Sequence, residues 1–134
     1  MFLTKECDYG LRIIRALSSG EKTTAEDICA VEGVPGQFAY KILKKLERAG
    51  YIMSSRGREG GYWLVKSLAD ITVYDIVTSI DENLFVLDCL KNDRICLRNT
   101  PENPCALHAE IERVQEALVL ELRRNSIGDV LKGD

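Results

Sequence analysis

The turn Val34-Pro35-Gly36 constrains this chain most, because Pro35 lacks a backbone donor and the glycines on either side favour a turn, so no helix can run through it. The amphipathic stretches before and after it must therefore be separate helices. Thr23-Thr24-Ala-Glu-Asp supplies a cap and an acidic first turn for a short helix with Ala25, Ile28 and Cys29 inward, stopped by Gly33. A longer helix is expected from Gln37 to Ala49, burying Phe38, Ile42, Leu43 and Leu46. Short helix, glycine turn and longer basic helix is the helix-turn-helix order. The outward positions are Gln37, Tyr40, Lys41, Lys44, Lys45 and Arg48, and the first three lie at the N-terminal end, where a recognition helix meets base edges.

Gly50 closes that helix, and Tyr51-Ile-Met-Ser-Ser leads as a strand into Arg56-Gly57-Arg58-Glu59-Gly60-Gly61, from which Tyr62-Trp63-Leu64-Val65 returns. A hairpin with a glycine-rich, arginine-bearing tip directly after a helix-turn-helix is a wing. Its Arg56 and Arg58 suit phosphates or a minor groove, and Trp63 is expected in the core. Upstream, a central helix from about Thr4 to Ser18 carries apolar residues on two faces, with Cys7 as a small core hydrophobe and Glu6 and Asp8 in an acidic first turn. Downstream, Asp70-Ile71-Thr72 introduces a helix over 73–80 that packs the domain.

The net charge of -3 does not by itself suggest a nucleic-acid partner. Between Pro35 and Lys66, however, seven Lys and Arg stand against Glu47 and Glu59, so a basic patch sits on an acidic body. The start of the chain shows no basic segment followed by an apolar run, and no stretch is apolar enough for a membrane span, so a cytoplasmic protein with no membrane partner is expected. An odd number of cysteines, five, argues for ligands or buried thiols over a disulfide framework.

Cys89, Cys96, Cys105 and the only histidine, His108, fall in a segment that is otherwise polar and holds Asn-Thr-Pro and Asn-Pro. Thiolates and an imidazole suit an iron–sulfur cluster or zinc. Six residues separate Cys89 from Cys96 and eight separate Cys96 from Cys105, wider than the knuckles of structural zinc sites and better matched to a larger inorganic core. If a helix starts at Pro104, Cys105 and His108 project from its first turn on one face. That helix, of about twenty residues towards Arg124, spaces Leu107, Ile111, Val114, Leu118 and Leu122 by three or four. Such a stripe wants a partner, either a second copy of itself or the rest of its own domain.

Leu3-Thr4 with Asp8-Tyr9-Gly10-Leu11-Arg12, the wing from Arg56 to Tyr62, and Cys105-Ala-Leu-His108 together resemble the winged-helix transcription regulators typified by IscR, NsrR and CymR. The resemblance covers essentially the whole chain. It implies a homodimer that reads a two-fold related site on double-stranded DNA and is controlled by an iron–sulfur cluster sensing redox, nitric oxide or iron–sulfur status. In IscR-like members three cysteines and a histidine hold a 2Fe-2S cluster, which carries over to Cys89, Cys96, Cys105 and His108. In NsrR-like members a carboxylate matching Asp8, from the other subunit, is the fourth ligand of a 4Fe-4S cluster. His108 is preferred, with 2Fe-2S favoured and 4Fe-4S the alternative. CymR-like members lack these cysteines and answer to a protein partner.

The expected fold class is mainly α with a small β-hairpin wing. Residues 1–80 would form a winged helix-turn-helix DNA-binding domain, 81–103 a cluster-binding loop, and 104–134 a dimerisation helix with a C-terminal turn. Competing functions are a winged helix with a structural zinc, or a small iron–sulfur carrier or redox protein. An enzyme is not expected, since no nucleotide loop or nucleophile-base arrangement is present.

Overall fold

The computed structural model describes residues 3–132, so the outermost residues of the 1–80 and 104–134 segments lie outside it. Helix α1 spans Lys5–Ala16, and the Thr4 hydroxyl caps it by accepting from the Cys7 amide at 3.4 Å. Ile13, Ile14 and Leu17 have no exposed surface, and Cys7, only 1% exposed, is the small core residue its position implied. Gly10 lies where α1 is crossed: a Cβ there would lie 1.9 Å from the end of the Ile80 side chain, which would have to move.

Helix α2, Ala25–Glu32, is capped by Thr24, and α3, Gly36–Arg48, follows the expected turn. Ala25 and Ile28 are the apolar anchors of α2, whereas Cys29, expected inward, is only half-buried. The buried polar residue of α2 is Glu32, whose carboxylate takes both ends of the Arg15 guanidinium while Arg12 donates to its carbonyl at 3.1 Å. These bonds satisfy a charge that burial would otherwise penalise, and they lock α2 to α1. Ala39, Ile42, Leu43 and Leu46 give α3 its buried face, with Phe38 packed at the edge near Tyr9.

Strands β1, Ile52–Ser55, and β2, Gly61–Leu64, pair antiparallel in the register Ile52 with Leu64 and Met53 with Trp63. Side chains alternate between faces, so burying Ile52 turns the Met53 and Trp63 pair outward. Trp63 is therefore half-buried, with the Lys22 ammonium 5.2 Å from its ring centroid, and does not join the core. A bridge between Thr23 and Tyr62 ties the wing to the start of the helix-turn-helix.

Helix α4, Val73–Ile80, begins with a capping box in which Thr72 and Asp75 satisfy each other's amides. It buries Ile76, Val77 and Ile80 against α1 and α3. An irregular segment with one short turn, Asp88–Leu90, then leads to α5, Ala106–Leu122. Helix α6, Ile127–Leu131, brings the chain back: Ile127 is buried, its amide donates to the Ile71 carbonyl at 2.7 Å, and Ser126 bridges Thr72. No helix among the described residues is long and apolar enough to cross a membrane.

Candidate DNA-reading surface and cysteine loop

Gln37, Tyr40, Lys41 and Lys44 are all exposed along one side of α3, as a reading face requires. Two acids from neighbouring helices hold this face. The Tyr40 hydroxyl donates to Glu26 at 3.1 Å, and that carboxylate raises the phenol's pKa. Lys41 and Lys45 both donate to Glu6, at 3.0 and 3.3 Å, and Lys45 also donates to the Ile80 carbonyl at 2.8 Å. The hydrogen bond from Lys41 is the main reason the Glu6 carboxyl is held below the usual carboxylate range. Lys45, expected outward, is half-buried by these contacts. In sequence Glu6 and Glu26 carry no sign of this role beyond being first-turn acids, since Glu6 lies 35 residues from Lys41.

At the wing tip, Gly57 adopts φ 99°, a left-handed conformation that turns the chain between the two strands. Arg56 and Arg58 flank it, both exposed and without an ion pair among the described residues. Lys22 donates to the Glu59 carbonyl at 3.2 Å and Ser54 to Glu47 at 2.7 Å, which brace the hairpin against the helices. The wing arginines and the outer side of α3 are thus both exposed to solvent.

The cysteine loop is arranged differently. Cys89 sits half-buried in the short turn 88–90, Cys96 is exposed, and Cys105 is the N-cap of α5. The helix starts at Ala106 and not at Pro104, because the Cys105 sulfur accepts from the His108 amide at 3.4 Å and its own amide donates to the Asn99 side chain at 2.8 Å. Cys105 and His108 are still adjacent, but as cap and first turn. Cys89, Cys96 and His108 line one open concavity of about 510 Å³ together with Thr100 and Glu112. Among the described residues, no three of His, Cys, Asp and Glu are gathered closely enough to hold a metal ion.

The donor set nevertheless fits an iron–sulfur cluster on chemical grounds. The His108 Nδ1 is buried without a hydrogen-bond partner, an expense that a bonded ligand would remove. Cys105 stands at the N-terminus of α5, one turn before His108. Thiolates repel one another until a cation joins them, and ligand closure of this kind accompanies metal binding.

Asp8 is elsewhere. It is paired with Arg12 at 2.9 Å and Lys5 at 3.1 Å, and Arg12 foremost holds its carboxyl below the usual range. It lines a separate apolar concavity with Leu11, Val73 and Ile127, so one chain does not bring it to the cysteines. Of the five α5 positions expected to meet a second copy, Leu107 is 77% exposed and Leu118 36%, while Ile111, Val114 and Leu122 are half-buried. Leu122 packs against the chain's own core, and Gln115 clamps α5 to the segment before the loop by bonding the Leu84 carbonyl and the Val86 amide.

A helix-turn-helix with a basic outer helix, followed by a two-stranded arginine-tipped hairpin, defines a winged helix-turn-helix DNA-binding protein. Residues 3–133 match the family described as Rrf2, iron-dependent transcriptional regulator, and the chain belongs to that family. It is thus a transcription regulator and not an enzyme. The HTH-type transcriptional regulator NsrR of Geobacillus kaustophilus is 32% identical, over 98% of this chain and 90% of that protein. Protein aau3 of Rhizobium meliloti is 30% identical, over 98% of this chain and 86% of that protein. Among solved structures, CymR (YrzC), the global cysteine regulator of B. subtilis, superposes with TM-score 0.78 at 20% identity, covering 98% of this chain and 97% of that one. T. potens IscR superposes with TM-score 0.74 at 22% identity, covering 98% and 86%. At those identities the structural matches speak for the fold alone.

Proposed function

We propose that this regulator is a homodimer whose hold on a two-fold related operator is set by an iron–sulfur cluster on Cys89, Cys96, Cys105 and His108. The observation that carries it is that His108, whose buried Nδ1 has no hydrogen-bond partner, lines the same concavity as Cys89 and Cys96. The family description, iron-dependent transcriptional regulator, supports it in kind, as does the 32% identical relative named NsrR. When bound, the cluster would supply a group that oxidants, nitric oxide or iron–sulfur shortage can remove. A 2Fe-2S form matches a set completed by His108, and a 4Fe-4S form would need Asp8 from a second subunit.

The chain's own residues give such a site a route to DNA. The loop begins at Asp81, directly after Ile80, and the Ile80 carbonyl holds Lys45 of α3. Ordering the loop therefore bears on the orientation of the reading helix, and an affinity change of about 1–3 kcal/mol is the usual size of such coupling. In this reading residues 1–80 read DNA, with Gln37, Tyr40, Lys41 and Lys44 at bases and backbone and Arg56 and Arg58 at phosphates. Residues 81–103 hold the cluster, and 104–134 join two copies in the cytoplasm, where the DNA is. Leu107, Ile111, Val114 and Leu118 would form the seam, and replacing Ile111 and Leu118 with Glu should give monomers by light scattering.

The test is an iron and acid-labile sulfide count, with an absorption spectrum, on protein purified without oxygen. Iron and sulfide in equal amounts support the proposal. Zinc without sulfide would replace it with a structural site.

A further inference from the structure

Glu6 belongs to neither the hydrophobic core nor the cysteine loop. Its carboxylate sits at the head of α1, yet it crosses to α3 and takes hydrogen bonds from two lysines of the reading helix. Lys41 is more than half exposed and Lys45 less than a third, so the carboxylate lies at the border of the surface that would meet the DNA backbone. A phosphate approaching Lys41 must compete with an anion already in place, and it meets that anion's charge at the same time. We propose that Glu6 sets the strength of sequence-independent binding: by neutralising Lys41 and Lys45 it weakens their attraction to phosphate and lowers the affinity of the reading helix for any duplex, while base contacts from Gln37 and Tyr40 keep the preference between sequences.

This rests on the reading that α3 enters DNA. The physical reason is that phosphate contacts supply affinity without information, while base-edge contacts supply discrimination. A lysine whose charge is cancelled inside the protein releases few counterions on binding. Freeing it adds a phosphate contact everywhere on the duplex, at operator and non-operator sequences alike. Both affinities then rise by about the same factor, and the preference between sequences stays as it was. Glu26 acts on Tyr40 in the opposite sense, since it orients a base-reading hydroxyl and leaves a neutral side chain in place.

The experiment compares wild type, Glu6→Gln, Lys41→Gln and the double variant. Binding is measured to a random-sequence duplex and to a duplex selected from a randomised pool by the wild-type protein, over a series of salt concentrations. Glu6→Gln should tighten random-duplex binding several-fold at low salt and steepen the logarithmic salt slope by about one unit, because about one further phosphate is neutralised. Discrimination between the two duplexes should stay as it was, and the gain should shrink in the Lys41→Gln background. An unchanged or shallower slope for Glu6→Gln, in protein that is fully folded by circular dichroism at the assay temperature, overturns the proposal, since a carboxylate that only braced α3 would not raise the slope. If Lys44→Gln, as a further variant, leaves both duplexes bound as before, the entry of α3 into DNA fails instead.

Discussion

The winged head and the cysteine loop with its following helix treat apolar residues in opposite ways. In the head, Ile13, Ile14, Leu43 and Ile76 are wholly buried. In the loop, Ile95 and Leu97 on either side of Cys96 are 95% and 92% exposed, and α5 contains no buried residue. The loop's backbone bonds are isolated turns, such as Arg94 to Lys91 and Asn99 to Cys96, with no ladder behind them. The head is stabilised by its own chain, whereas the loop has the contacts of a segment that something outside the chain must order.

That contrast can be broken most sharply at Cys96. Cys96→Ala should abolish the bound iron and sulfide altogether and leave the head's urea midpoint unchanged. A shifted midpoint would mean that the loop helps to hold the head. Next in size, Leu43→Ala should cost about 2–5 kcal/mol in chemical denaturation, as for other buried leucines, while Leu97→Ala should stay within about 0.5 kcal/mol. Comparable losses would erase the difference between the two regions.

Acid sharpens the comparison further. The Glu6 carboxyl is held below its ordinary range in the folded head, foremost by its bond from Lys41, so its contribution is present at neutral pH and is lost as pH falls through that lowered value. Urea midpoints of the head should therefore decline below about pH 4, and Glu6→Gln should flatten part of that decline. Exposed pairs on α5, such as Arg113 with Glu110, should add nothing measurable to it. The smallest effect is expected at the wing: Arg58→Ala should weaken DNA binding evenly across sequences and reduce the salt slope by about one unit. An unchanged slope would take Arg58 off the phosphate backbone.

Much of this was legible from the chain because it is local. The Thr4, Thr24 and Thr72 caps, the Pro35 turn, the glycine-rich hairpin and the buried Cys7 depend on neighbours a few residues away. What sequence reading missed depends on distant packing. Trp63 faces outward because Ile52 takes the inner face, α5 starts one cap later because Asn99 holds the Cys105 amide, and Glu6 finds Lys41 only once α1 crosses α3. The cysteine spacing suggested a ligand loop, but Cys89 and Cys96 lie on a segment with no periodicity from which their distance to Cys105 and His108 could be read.

The bridge from Thr72 to Ser126, with Ile127 seated in the core beside it, closes everything between them into one ring of chain fastened at both ends to the head. Within such a ring the length of the cysteine loop is only weakly constrained, because each doubling of a flexible loop costs about 0.6 kcal/mol in closure entropy. Gaps between ligand cysteines can therefore drift without unseating α5 or the reading helix. For the same reason a protease cut near Cys96 should yield two fragments that migrate together until the head itself unfolds.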